Sequence, residues 1–233
     1  MNRINAGRLL ACCIVFGASA AQADTEFEVG RLTAIFKEAG WKAGAPMPYN
    51  HEIMSAMGTF RGAAKVFTLS DPGGETLALM YVGVSYPQVN VYSQRSDCPK
   101  DARFYVRDLN ESKVEDRRCV IAGGPYGGES LINNGLHYLS DANKSSPLRA
   151  PANAYFVHAY ASARGGRLID VEVVLSDRFT GNPGSKAAGE VPALLRPEVA
   201  AWADGVADAS IKGLTSFSAK FAVPALTFST ASK

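Results

Sequence analysis

Apolar residues recur at helical spacing immediately after residue 23. Thr25 and Glu28 fit a capping box, in which a threonine caps a helix and a glutamate follows three residues later. Three apolar residues then follow at intervals of three and four: Val29, Leu32 and Phe36. This spacing is typical of one face of a helix, and it predicts an amphipathic helix that ends near Gly40.

From residue 65 onwards the pattern changes to short apolar runs that are typical of strands. The runs comprise residues 66–69, 76–84, 89–93, 103–106 and 119–122. Asp71-Pro72-Gly73-Gly74 is a strong turn signal between the first two runs. Residues 41–57 are rich in proline and glycine and favour an irregular connection.

Residues 154–175 carry the best hairpin signal, because two β-prone runs flank Gly165-Gly166. A two-residue loop at these glycines places Arg164 opposite Arg167 and determines which side chains share a face. The predicted core face consists of Phe156, His158, Tyr160, Ser162, Ile169, Val171, Val173 and Leu175. The other face, which includes Asp170 and Glu172, is predicted to meet solvent.

A second helix is predicted to begin at Pro197, where proline suits the first helical position. Residues 217–228 favour a short edge strand, because Pro224 interrupts them. The predicted fold class is α+β, with a single antiparallel β-sheet packed by an N-terminal and a C-terminal helix. Residues 24–228 would form one globular domain, and residues 229–233 a frayed tail.

The first 23 residues have the three-part pattern of a secretory signal peptide. Arg3 and Arg8 precede an apolar run, and Ala21-Gln22-Ala23 is a typical cleavage site. Without this leader, Lys and Arg balance Asp and Glu at 22 each. We therefore predict a periplasmic protein that neither binds nucleic acid nor inserts stably into a membrane after leader removal.

Two cysteines lie beyond the leader, Cys98 and Cys119. An even pair in an exported protein predicts a disulfide bond. No histidine lies at ligand spacing from either cysteine, so we predict no metal site and no cofactor.

The stretch "CVIAGGPYGGES", residues 119–130, resembles two catalytic motifs without completing either. A phosphate-binding loop needs a lysine where Glu129 stands. A nucleophile elbow needs a small residue where Ile132 stands. We therefore predict that it is a strand end followed by a mobile glycine-rich loop.

Two sets of residues are candidates for hydrolytic chemistry. Ser130, His137 and Asp141 have the residue types of a catalytic triad, but triad members usually come from separate elements, and a solvated polar loop is the better explanation. Asp170 and Glu172, two apart on a strand, leave the same face and resemble a carboxylate pair, although a solvent-facing strand has the same pattern.

Tyrosines near the glycine-rich stretch point instead to binding, because tyrosine is effective in interfaces. The predicted binding residues are Tyr105, Gly124, Tyr126, Gly127, Glu129 and Tyr138. The resulting hypothesis is an exported binding or accessory protein without catalytic activity and with a protein partner, for example an immunity or inhibitor protein. The alternative is an envelope-directed hydrolase of the serine or carboxylate-pair type.

Overall fold

The computed structural model describes residues 24–52, 59–87, 98–99, 101–109, 118–163, 167–181 and 186–229. The predicted leader, the predicted strand at 89–93 and residues 230–233 lie outside these ranges. The strands are β1 Thr25–Val29, β2 Leu32–Phe36, β3 Trp41–Ala43, β4 Met47–Glu52, β5 Thr59–Ser70, β6 Thr76–Ser85, β7 Tyr105–Asp108, β8 Arg118–Gly127, β9 Asn153–Ala163, β10 Arg167–Ser176 and β11 Lys220–Ala222. The helices are α1 Gly128–Ser130, a π-helical turn Leu131–Gly135, α2 His137–Ser145 and α3 Pro197–Thr215.

The protein is mostly β, so the predicted fold class is wrong. Strands make up 46% and helices 21% of the structure, in two sheets rather than one. The large sheet has eight strands in the order β3-β5-β6-β10-β9-β8-β7, with β4 also paired to β5. The small sheet has the order β1-β2-β11, and β11 runs parallel to β2, so the sheets are not purely antiparallel.

The predicted N-terminal helix is instead the β1–β2 hairpin, in which Val29 pairs with Leu32. Gly30 has a φ of 59°, which glycine adopts readily and which a two-residue hairpin turn requires. Leu32 and Phe36 are buried. Their spacing of four residues fits both the helical and the strand period, and this ambiguity misled the prediction.

The large sheet is covered on both faces, and this explains its apolar central strands. All ten residues of β6 are buried, as are nine of the ten in β10. One face packs against α3 and the small sheet in a core that includes Phe36, Phe67 and Trp202. The opposite face packs beneath α2 in a second core, which includes Tyr49, Tyr81 and Leu139.

The predicted register of the β9–β10 hairpin is wrong by one residue. Ala163 pairs with Arg167, so three residues rather than two lie between the paired ends. His158 consequently lies opposite Glu172. The shift places His158 and Tyr160 on the face of Asp170 and Glu172 rather than on the face of Ile169 and Val171. Ile169, Val171, Val173 and Leu175 lie in the first core, and Asp170 and Glu172 are on the opposite face of β10. We predicted that this face meets solvent, but α2 covers it, so Asp170 and Glu172 are buried at 2% and 1% exposure.

The region around residues 119–130 is more ordered than predicted. Strand β8 continues to Gly127, with an irregularity in its pairing between Gly123 and Tyr126, and α1 follows at once. A disulfide bond joins Cys98 to Cys119, as predicted. The glycine-rich segment is therefore a strand and a helical turn rather than a mobile loop.

The predicted helix after Pro197 is present as α3. It lies on the face of the large sheet opposite α2, where Val199, Trp202 and Val206 are buried. Helix α2 covers the other face of β9 and β10.

Candidate functional site

Two buried carboxylates form the centre of a polar cluster on the α2 side of the large sheet. Glu172 on β10 pairs with His158 on β9 and with Tyr81 on β6. Asp170 pairs with Gly83 on β6. Because directly paired residues share a face of a sheet, these side chains are brought together by register alone.

Gly83 makes room for the aromatic part of this cluster. A Cβ atom at this position would lie 2.5 Å from Cδ2 of Tyr49 and 2.8 Å from the hydroxyl oxygen of Tyr81. Such distances are far below van der Waals contact. The absence of a side chain at Gly83 therefore allows the Tyr49 ring to reach Asp170.

Asp170 receives hydrogen bonds from two tyrosines. The hydroxyl groups of Tyr49 and Tyr138 both donate to its Oδ2 atom, the latter at 3.2 Å. The Nδ1 atom of His51 lies 3.5 Å from the same oxygen, and the Nε2 atom of His158 lies 3.5 Å from Oδ1. Both carboxylate oxygens are thus surrounded by polar groups that compensate for burial.

Helix α2 is attached to the sheet through Glu172. The backbone N–H of Leu139, in the first turn of the helix, donates to the Oε2 atom of Glu172 at 2.8 Å. The first N–H groups of a helix have no partner within the helix, and they favour a negative charge. Glu172 therefore caps α2 from outside and holds it over the cluster.

Tyr138 connects the helix to the rest of the cluster. Its hydroxyl oxygen lies 2.6 Å from Nδ1 of His51, and its ring stacks on that of Tyr81 with centroids 4.9 Å apart. Burial, followed by the charge of Asp170, raises the pKa of Tyr138. The hydroxyl group therefore stays protonated and remains a donor to Asp170.

The two carboxyl groups have pKa values displaced in opposite directions. Burial raises the pKa of Asp170, but hydrogen bonding to His158 and the charges of His51 and His158 outweigh it, so its pKa lies below the usual value. Burial also raises the pKa of Glu172, and there it prevails over the charge of His158 and the backbone hydrogen bonds. Asp170 is therefore the stronger acid of the pair.

A cavity of about 500 Å³, which we call the acidic cavity, opens onto this cluster. Its walls are formed by Asn50, His51, His137, Tyr138, Asp141, His158, Asp170 and Glu172. The side chains of His51 and His158 are 18% and 26% exposed, so both imidazoles are accessible from the cavity. At its edge, Lys144 pairs with Asp141 at 2.8 Å.

The predicted triad residues are divided between two cavities. His137 and Asp141 lie on α2 and line the acidic cavity, with Nε2 and Oδ2 3.8 Å apart and both side chains exposed. Ser130 lies on α1 and lines a neighbouring cavity. The carboxylate pair, by contrast, lies inside the polar cluster.

The predicted binding residues also separate. Tyr105 is fully buried, and its hydroxyl group donates to Asp204 on α3 at 2.7 Å. Tyr138 belongs to the buried cluster, whereas Gly127, Glu129 and Tyr126 are exposed. Gly124 lies at the irregularity in β8. The exposed part of this set is therefore limited to the end of β8 and α1.

Sequence reasoning missed Tyr49, His51 and Tyr81 as site residues. Tyr49 and His51 lie on β4, within the segment that we predicted to be irregular. Met47, Tyr49 and His51 recur at every second position, which is the period of a strand, and this was the available signal in the sequence. Their approach to β10 depends on long-range pairing through β5, which has no local signature.

Comparison of the chain with known proteins returned no match to a family model, a curated protein or a solved structure. Within the described ranges, no group of three or more His, Cys, Asp or Glu side chains is placed to hold a metal ion. No helix in this part of the chain is long and apolar enough to cross a membrane.

Proposed function

We propose that this chain is an exported binding protein that holds a small organic cation, such as a primary amine, in the acidic cavity beneath α2. The observation that carries the proposal is the pair of buried carboxylates, Asp170 and Glu172, on the cavity wall. Export rests on the leader pattern of residues 1–23.

The electrostatic argument begins with the cost of burying a carboxylate. A buried anion is tolerated when it is paired or hydrogen-bonded. In the described part of the chain, the groups in contact with Asp170 and Glu172 are tyrosine hydroxyls, imidazoles and backbone N–H groups, and include no lysine or arginine. An ammonium group in the cavity would supply the permanent positive charge that these contacts lack.

Isothermal titration calorimetry at pH 8 with a panel of primary amines and their isosteric alcohols tests the proposal. We expect the wild-type protein to bind amines in preference to alcohols. Asp170→Asn should weaken amine binding by about tenfold or more, because it removes a charge-assisted contact. Glu172→Gln provides a second variant that keeps the hydrogen bond from Leu139.

Glu28→Gln is the matched control, because Glu28 lies on β1 and is exposed. It should bind amines as the wild type does. The proposal is wrong if the wild type binds none of the amines, or if Asp170→Asn and Glu172→Gln bind them as tightly as Glu28→Gln does. Circular dichroism of each variant establishes that the fold is retained.

The opposite displacement of the two pKa values favours a second candidate, the carboxylate-pair hydrolase. Glu172, with its raised pKa, would donate a proton to the leaving group, and ionised Asp170 would stabilise positive charge. Chromogenic glycosides and esters test this candidate. Turnover by the wild type that is lost in Glu172→Gln supports this candidate. If neither protein turns over any of these substrates, the candidate is excluded for glycosides and esters.

A protein partner at the end of β8 stays a prediction. Tyr126 is 42% exposed and Glu129 is exposed beside it. Affinity capture from the periplasm with wild-type protein and Tyr126→Ala tests this version. A partner that is retained equally by both proteins would show that Tyr126 is not part of its contact.

A further inference from the structure

A second cavity, of about 560 Å³, lies beside the acidic cavity and has a different chemical character. Three aromatic rings, those of Phe104, Tyr126 and Phe156, line it. The planes of the Tyr126 and Phe156 rings are inclined by 27°, with centroids 6.2 Å apart, and Phe104 meets Phe156 edge to face at 5.6 Å. We call this cavity the aromatic groove.

Gly123 on β8 permits this arrangement of rings. A Cβ atom there would lie 2.6 Å from Cε1 of Phe156 and 2.9 Å from Cδ1 of Phe104. Any other residue at this position would push the two rings apart. Gly123, the first glycine of "CVIAGGPYGGES", therefore allows the close approach of two of the rings that line the groove.

The charged groups of the aromatic groove neutralise each other. The guanidinium group of Arg103 forms a fork on the carboxylate of Asp101, with N–O distances of 3.0 and 2.6 Å. The remaining lining is mostly apolar and aromatic. The groove therefore suits an uncharged, flat part of a ligand, which can stack on the rings.

His158 connects the two cavities, because it lines both of them. Its Nε2 atom lies 3.5 Å from Asp170, and on the sheet it lies opposite Glu172. One ligand that passes His158 can thus have an apolar end in the aromatic groove and a charged end against the carboxylates.

We propose that the aromatic groove is a second subsite for the same ligand, which is an arylalkylamine: its ammonium group lies against Asp170 and Glu172, and its ring lies among Phe104, Tyr126 and Phe156. This inference rests on the proposed function for its charged end. It adds the chemical class of the remainder of the ligand.

Calorimetric titration with methylamine, 2-phenylethylamine and 2-phenylethanol separates the two subsites. The wild type should bind 2-phenylethylamine at least tenfold more tightly than methylamine. Tyr126→Ala, at an exposed position, should weaken 2-phenylethylamine and 2-phenylethanol by roughly threefold to tenfold and leave methylamine unchanged. Tyr86→Ala, at another exposed tyrosine, is the matched control and should change none of them.

Three results overturn the inference or separate it from the proposed function. Equal affinity for methylamine and 2-phenylethylamine overturns the aromatic groove while leaving the acidic cavity intact. Unchanged 2-phenylethylamine binding in Tyr126→Ala does the same. In the third result, 2-phenylethanol binding is weakened by Tyr126→Ala, whereas amine binding is unchanged by Asp170→Asn. This result supports the aromatic groove and overturns the proposed cation site.

Discussion

At the scale of single residues, the acidic cluster places two carboxyl groups with opposite pKa displacements two positions apart on β10. The folded state favours the ionised form of Asp170, which accepts hydrogen bonds from two tyrosines. It disfavours the ionised form of Glu172 because of burial. Their isosteric amide variants should therefore respond to pH in opposite ways.

We predict that Asp170→Asn destabilises the fold by about 1.5–3 kcal/mol at pH 7, the range for hydrogen bonds to a charged group. Because the pKa of Asp170 is lowered on folding, its contribution is present above the unfolded value of about 3.9 and is lost as the pH falls through the folded pKa. The difference in unfolding free energy between the wild type and Asp170→Asn should therefore decrease as the pH falls, as measured by urea unfolding between pH 3 and pH 8.

Glu172→Gln should show the reverse dependence in the same titration. A raised folded pKa means that protonated Glu172 stabilises the fold below about pH 4.3 and that this contribution is lost as the pH rises through the folded pKa. Glutamine mimics the protonated form at every pH, so the variant should gain stability relative to the wild type as the pH rises. Parallel pH profiles for the two variants would contradict this account.

At the scale of elements, hydrogen bonds to buried carboxylates attach the helices to the sheet. Helix α2 is held through Glu172, as described above, and α3 is held through Asp204. The Oδ2 atom of Asp204 accepts hydrogen bonds from the hydroxyl group of Tyr105 on β7 and from the N–H of Ala188. Arg107, also on β7, lies 3.3 Å from its Oδ1 atom.

We predict that Tyr105→Phe lowers the free energy of unfolding by about 1 kcal/mol, because it removes one of these hydrogen bonds and leaves the ring packed. A lower midpoint of urea unfolding would show the loss, provided that the slope of the unfolding free energy against urea concentration is unchanged. Tyr126→Phe removes a hydroxyl group from an exposed tyrosine and should leave the midpoint unchanged. Equal midpoints for both variants would show that the Tyr105–Asp204 contact contributes no stability.

The elements also show which parts of the fold the sequence patterns predict. Apolar runs located β5, β6 and β8, and Pro197 located α3, because these signals are local. The site depended on two features that these patterns do not determine: the number of residues between Ala163 and Arg167, and the packing of α2 on the sheet. The extra loop residue places His158 and Tyr160 on the same face as Asp170 and Glu172, and α2 buries that face. Tyr49 and His51 required the pairing of β4 with β5, which periodicity alone does not determine.

At the scale of the whole molecule, the disulfide bond restricts the unfolded chain. Cys98 and Cys119 are 21 residues apart, and both are buried. In the chain-entropy model, closing a loop of this length stabilises the folded state by roughly 3 kcal/mol. The bond ties residue 98 to β8, the strand that leads into the aromatic groove.

We predict that replacing both cysteines with alanine lowers the free energy of unfolding by roughly 3 kcal/mol. Reduced wild-type protein should unfold at nearly the same urea concentration as the double variant, whereas the double variant itself should not respond to the reductant. An unchanged midpoint in the double variant would show that the bond does not stabilise this fold. Intact mass before and after alkylation confirms the state of the thiols.

The burial of both faces of β6 and β10 has a consequence for how this protein can diverge during evolution. A strand that is covered on both sides offers almost no position at which a polar replacement is neutral. Substitutions should therefore accumulate at the exposed positions of β1 and at exposed ends of strands, and β6 and β10 should change slowly. Distant descendants of this chain would be recognised first by an apolar run interrupted by a single glycine, followed far along the chain by two acidic residues with one apolar residue between them.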